Sequence, residues 1–302
     1  MSNSISRRSF IAGSIAGGAA LATASLSAHT VNESVKWDET YDVIVVGSGF
    51  AGLAAAIEAK QAGANVVVLE KMVSFGGNSI INGGILTATG CPQQKAHKIE
   101  DSVDLLEKDI LVAGGYLNDK KKVRLLAEHA LSNYEWCVKT LGVEFLPDAI
   151  GQEGGHSVPR YVTTKNGSGS GIVTKEIDYC KKLGIPLKNR VYVEHIIRSK
   201  DGAVVGLQVR ENYRFPKKDS GRVKYLRARR GVVLCYGGFA ADVKYRMYQD
   251  PKLDATLDTT NQPGATSELW RETSAIGCLH VQDDWIQCGP WGNPKEKGMG
   301  IG

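Results

Sequence analysis

The residues whose types and spacing point most directly to chemistry are Gly47, Gly49, Gly52 and Glu70. The three glycines stand in GSGFAG, straight after the apolar β-formers Val43–Val46 and before an alanine-rich helical pattern that reaches about Ala62. Gly63 stops that pattern, and a second β-run, Val66–Leu69, ends on Glu70, 23 residues after the first glycine. Strand, G-x-G-x-x-G, helix, strand and acid is an arrangement that grips a dinucleotide. The first glycine permits the tight turn, the second lets backbone approach a pyrophosphate, and the third lets helix lie close on sheet. The helix N-terminus offers unpaired N–H groups and partial positive charge to the phosphates, and Glu70 accepts hydrogen bonds from a ribose diol. The turn by itself does not choose between NAD and FAD.

The elements that must position these groups follow from the rest of the chain. After Glu70, KMVSFGGNSIINGG carries two Gly-Gly pairs around Asn78 and Ser79, a loop suited to wrapping a ligand with backbone amides. Periodicity predicts helices over about Ser102–Ala113, over Lys120–Lys139 with Leu125, Leu126, His129, Tyr134 and Cys137 near one face, and over Gly171–Leu183. Residues 151–171, rich in glycine and serine, read as a long ordered loop or a linker. Asp201-Gly202 between two β-rich runs signals a hairpin, with Val223–Ala228 as a third run of a meander. Val232–Leu234 reads as a separate buried strand feeding the Gly237-Gly238 turn. A helix is expected after Pro263-Gly264 up to Gly277, and a strand within the stretch that starts at Cys278.

Composition narrows the function classes. A net charge of +5 over 302 residues, two of the charges being Arg7 and Arg8, leaves no basic stripe of the kind nucleic acid demands. The six cysteines are widely spaced, without C-x-x-C or C-x-x-C-H, so neither a zinc knuckle nor covalently held haem is expected, and buried free thiols are the default. No metal site is indicated. The N-terminal SISRRSFIAGSIAGGAALATASLSA has paired arginines, a weakly apolar run and small residues suited to cleavage; it resembles a twin-arginine export signal and is too short and glycine-rich for stable membrane insertion.

Taken in order, the fingerprint with Glu70, GGNSIINGG, the β-meander, VVLCYGGFA, TNQPGA and IQCGP resemble the FAD-binding half of the fumarate reductase/succinate dehydrogenase flavoprotein family. The similarity is greatest to its exported, soluble branch related to flavocytochrome c fumarate reductase and urocanate reductase. The resemblance implies an α/β fold: a Rossmann-like FAD-binding domain of parallel sheet plus β-meander, with the capping domain largely absent. It implies a signal peptide at 1–28, an FAD-binding domain at 29–284 and the start of a truncated cap at 285–302. Cofactor contacts carry over to Gly47, Gly49, Ala51, Gly52, Glu70, Lys71, Gly77, Asn78, Ser79, Gly83, Gly84, Val193, Gly237 and Gly238. Asn78 stands where membrane-bound members attach FAD through a histidine, so the cofactor is expected to be non-covalent.

Two departures shape the functional reading. Gln287-Cys288-Gly289-Pro290 has glycine where fumarate reducers have a substrate-binding histidine, and Ser267-Glu268-Leu269 replaces a usual Gly-Asp-Gly. Family members also continue well past this length, so their arginine proton donor is expected beyond Gly302, and no catalytic residue is nominated. The implied activity is reduction of an activated C=C bond of an organic acid or enone by hydride from flavin. A separate donor such as a cytochrome c supplies electrons, and the place of work is the periplasm. The alternatives are an inactive or split-gene FAD-binding fragment and a ketosteroid-type flavin dehydrogenase. An NAD-only Rossmann enzyme is disfavoured, because the alternating βαβ pattern fails after Leu69.

Overall fold

The computed structural model describes residues 35–289, so the expected signal at 1–28 and most of 285–302 lie outside it. The chain opens with β1 (Glu39–Val46), α1 (Phe50–Gln61) and β2 (Val66–Leu69). A single 3-10 turn at Gly77–Ile80 leads to β3 (Ile85–Thr87), followed by α2 (Pro92–Ala96), α3 (Val103–Ala113) and α4 (Lys120–Trp136). Next come β4 (Tyr161–Thr163), α5 (Ser170–Lys182), β5 (Leu187–Lys188), β6 (Val191–Arg198), β7 (Val204–Glu211) and β8 (Arg222–Leu234). Two helices, α6 (Val243–Gln249) and α7 (Glu268–Ala275), complete the described part.

Six strands form one sheet in the order β5-β2-β1-β8-β7-β6. The first four are parallel, and β8, β7 and β6 form the antiparallel meander. Both faces are covered, as parallel strands require. Side chains alternate along β1 and β2: Val45, Val66 and Val68 enter one core with Leu53 and Ile57 of α1 and Val173 of α5. Ile44, Val46, Val67 and Leu69 enter the other, with the inner face of the meander and Leu269 and Ile276 of the α7 region. Leu53 and Ile57 are fully buried, each contributing about 1.5–3 kcal/mol by removal from water. At its edges the sheet curls on itself: Val191 N, at the start of β6, donates to Glu70 O at 2.8 Å just past β2.

The structure corrects several sequence expectations. The runs 223–228 and 232–234 are one continuous strand, β8, antiparallel to β7 over its first half and parallel to β1 along most of its length. Helix α4 turns Val123, Ala127, Ala130 and Tyr134 inward, while Leu125 and Leu126 are more than half exposed and His129 is at the surface beside Ser132. The stretch after Cys278 is irregular within the described residues and contains no strand. Only Cys91, Cys137 and Cys180 are buried; Cys235 is half-buried, and Cys278 and Cys288 are exposed.

The glycine-rich stretch 151–171 is held by one buried cation. Arg160, wholly inaccessible, makes a bidentate pair with Asp101 (2.9 and 2.7 Å) and a further bond to Asp109 at 2.5 Å. Asp109 also accepts from Ser157 N and Oγ, and Gln94 donates to Asp101 at 2.9 Å. Burial alone would raise the pKa of both aspartates; the hydrogen bonds and charge of Arg160 outweigh it and hold both carboxyls below their ordinary value.

Candidate functional site

Strands β2, β1 and β8 end level with one another, Val46 lying opposite both Leu69 and Leu234. Three backbone turns therefore leave the sheet side by side, and between them lies a cleft of about 980 Å³, part of it open to solvent. The end of a parallel sheet is where α/β folds place ligands.

The β1–α1 turn forms one wall. Gly47 has φ +102°, and a Cβ there would lie 2.2 Å from Cys235 O, so this turn fits only glycine. A Cβ on Gly52 would come within 2.0 Å of Gly47 O, which is why helix and turn can touch there. Helix α1 starts without an acidic residue in its first turn, and only Phe50 N is capped by a side chain, Ser79 Oγ at 3.1 Å. Its positive end faces the cleft uncompensated, a ready anion site.

Glu70 is held rather than free. Its Oε2 accepts from Ser48 Oγ at 2.5 Å and Ser48 N at 3.2 Å, its Oε1 from Met72 N at 2.8 Å, and its side chain is nearly buried in the cleft wall. Ser48 Oγ in turn accepts from Gly76 N at 3.0 Å, so this buried serine joins the turn, the acid and the following loop. Its position inside the fingerprint carries no sequence signal of that role.

The loop after Glu70 is fastened to the segment before α7. Asn78 donates to Asn261 Oδ1 and accepts from Gln262 N at 2.7 Å. Lys71 reaches Thr266 Oγ1 at 2.5 Å and Glu268 at 3.4 Å. Burial pushes the Lys71 ammonium below the ordinary lysine value against the pull of Glu268. Burial works to raise Glu268, but the charge of Lys71 and the hydroxyl of Thr266 hold it below the ordinary carboxylate value. Each partner's charge favours the ionised form of the other, against the burial that disfavours both. Burial raises the Cys235 thiol, so this cleft cysteine stays protonated and acts as lining rather than nucleophile.

Of the residues singled out from sequence, Gly47, Gly49, Glu70, Lys71, Gly77, Asn78, Ser79, Val193, Gly237 and Gly238 line the cleft. Ala51 lies on the exposed first turn of α1, Gly52 and Gly84 are packed against backbone, and Gly83 is exposed; none of the four lines it. The lining also includes Ser48, Tyr192, Cys235, Tyr236, Gln262 and Thr266, which the motifs did not single out as contacts. Gly77, Gly237 and Gly238 have nothing within 4 Å where a side chain would project. A dinucleotide fits the cleft: N–H groups for phosphates, an oriented carboxylate for a diol, and apolar side chains such as Val193 and Leu69 for a flat ring.

Comparison with known proteins agrees. Residues 42–300 match the FAD binding domain family. The acrylate reductase flavoprotein subunit of Shewanella woodyi is 43% identical over 298 residues, covering 98% of this chain and 58% of that protein. The urocanate reductase of Eggerthella lenta is 33% identical over 255 residues, covering 82% and 40% respectively. The open conformation of a flavocytochrome c3 fumarate reductase superposes with a TM-score of 0.78 at 28% identity, covering all of this chain and 49% of that one. The chain thus spans about half the length of the curated relatives it matches.

Proposed function

We propose a function for a chain that belongs to the FAD binding domain family, in its fumarate reductase-like flavoprotein branch: it carries the FAD of a reductase acting on the C=C bond of a small organic acid. The observation that carries this is the cleft itself, with Glu70 already oriented by Ser48 and Met72 opposite the uncompensated N-terminus of α1. In this reading residues 29–284 are the cofactor domain. Glu70 takes the adenosine ribose, the Gly47–Gly49 turn the pyrophosphate, and the Gly237-Gly238 backbone borders the cofactor. FAD, when bound, supplies hydride to the β-carbon of an alkene polarised by a neighbouring carboxylate. The protein's part is to bind, to orient, and through Lys71–Glu268 and Asn78–Gln262 to keep the loop closed on the cofactor.

Two features favour an acrylate-like monocarboxylate over fumarate as substrate. The relative with 43% identity is an acrylate reductase subunit, and Gly289 stands where fumarate reducers carry a carboxylate-binding histidine. Electrons are proposed to arrive from a separate cytochrome-type donor in the periplasm, reached by the twin-arginine route. No helix among the described residues is long and apolar enough to cross a membrane.

The test is anaerobic. Purified protein reconstituted with FAD and chemically reduced is mixed with acrylate, fumarate or urocanate, and the return of oxidised-flavin absorbance is followed. Reoxidation fastest with acrylate supports the reading. Reoxidation by none of the three, in protein that retains FAD, refutes reductase activity of this chain by itself.

A further inference from the structure

We propose that Trp270, braced by His280, is a positioning residue for the cofactor: it holds the Tyr236–Gly238 turn in register with the phosphate-facing β1–α1 turn. The proposal rests on the reading of the cleft as an FAD site.

The turn needs holding. It follows β8 without further strand pairing, Gly237 sits at φ +73°, and on the cleft side nothing lies within 4 Å of where Gly237 or Gly238 would carry a side chain. Its support comes from behind, from one face of α7. Trp270 Nε1 donates to Gly237 O at 3.1 Å. The same indole meets Tyr236 edge-on at 5.8 Å and Phe239 at 5.2 Å, so one side chain touches both flanks of the glycine pair. Such edge-to-face contacts add to simple burial and fix a ring's angle.

Trp270 is braced in its turn. The imidazole of His280 stands edge-on to it, centroids 4.9 Å apart at 84°. His280 is held through both ring nitrogens, Nε2 facing Thr273 Oγ1 at 3.0 Å and Nδ1 facing Asp283 Oδ2 at 3.1 Å. Thr273 lies one turn beyond Trp270 on α7 and donates its hydroxyl proton to Leu269 O at 2.8 Å. The same oxygen lies against His280 Nε2 at 3.0 Å and the Tyr236 hydroxyl at 3.4 Å. The contacts close a circuit: turn to Trp270, Trp270 to His280, His280 to Thr273, and Thr273 through Tyr236 back to the turn. A group whose supporting shell is locked in this way holds a ligand-facing wall within tenths of an ångström. The circuit also gives a purpose to the irregular stretch after Cys278, which folds back to lay His280 against α7.

Because a Cβ on Gly47 would strike Cys235 O, the supported turn abuts the wall assigned to the pyrophosphate, so ADP is a sufficient probe. The experiment titrates the full chain with FAD and with ADP by calorimetry, in wild type, W270F, H280A and H280F, recording apo-protein Tm alongside. W270F keeps an aromatic ring and removes the donor; about a three- to tenfold rise in both Kd values is expected, the worth of one neutral hydrogen bond. H280A is expected to weaken both ligands at least as much. H280F, which keeps a ring edge-on to Trp270, restores most of the affinity. Wild-type affinity in both W270F and H280A overturns the proposal, as does a loss that H280F shares in full, since the ring then braces nothing. If wild type binds neither FAD nor ADP, the cofactor reading falls and this inference with it.

Discussion

Replacing Glu70 by glutamine tests the centre of the site with almost no change of shape. The carboxylate accepts three donors from its own protein, Ser48 Oγ, Ser48 N and Met72 N, and lies nearly buried in the cleft wall. An amide has one acceptor oxygen. If that oxygen faces Ser48, Met72 N is left against an N–H; if it faces Met72, Ser48 N is. Either way one backbone donor is orphaned, a destabilisation of about 1–3 kcal/mol in the empty protein. Binding loses more, because the charge that makes bonds to a ribose diol strong has gone. Taking on the order of 2–3 kcal/mol for the charge-assisted contacts, Kd for FAD rises roughly 30- to 150-fold. Calorimetric titration with FAD and with FMN separates this from general damage: FMN has no adenosine ribose, so its affinity should be unchanged. An E70Q protein that binds FAD as tightly as wild type, or that loses FAD and FMN in equal measure, refutes the assignment of Glu70 to the ribose.

Three further outcomes are expected. Gly47→Ala forces a Cβ to within 2.2 Å of Cys235 O at a left-handed backbone position, and should abolish FAD retention on gel filtration while lowering Tm by several degrees. Arg160→Met leaves the Asp101 and Asp109 carboxylates buried without their cation, a loss of about 3–5 kcal/mol read from urea midpoints at pH 7. The stability those aspartates contribute through Arg160 is present above their ordinary value of 3.8 and disappears as pH falls through their lower folded values, so the variant should differ least from wild type in strong acid. Glu176, buried on α5 with one carboxylate oxygen unpartnered among the described residues, is pushed up to about 9 by desolvation. The folded chain then holds a proton that the unfolded chain releases near 4.5, so this group makes stability fall as pH rises from about 4.5 to 9. Glu176→Gln should remove that slope and raise stability at pH 7 by about 2–3 kcal/mol, as judged by Tm across a pH series; an unaltered slope rules the explanation out.

How much of this was legible in the sequence depends on whether the physical requirement is local. The β1–α1–β2 unit was readable because a tight turn, a close helix and two buried strands each restrict residue type where they occur. The continuity of β8 was hidden by Arg229-Arg230-Gly231, polar residues that interrupt the apolar run although the backbone passes through them unbroken. The inward face of α4 was misread because Leu125 and Leu126 outrank Ala127 and Ala130 in hydropathy, whereas the contact with α3 favours small residues that let helices approach. The ordering of 151–171 had no local sign at all, since the partners of Arg160 lie some fifty residues earlier in the chain. Ser48 and Trp270 were missed as site residues for the same reason: each acts through a neighbour brought in by the fold.

The common row at which β2, β1 and β8 stop makes the grip on the nucleotide a matter of counting. Val46 pairs laterally with Leu69 on one side and Leu234 on the other, so adding or deleting one residue in any of these strands would step its turn out of line by about 3.3 Å. Most side chains around the cleft are free of that arithmetic. A lineage could therefore exchange those side chains freely while keeping three strand lengths constant.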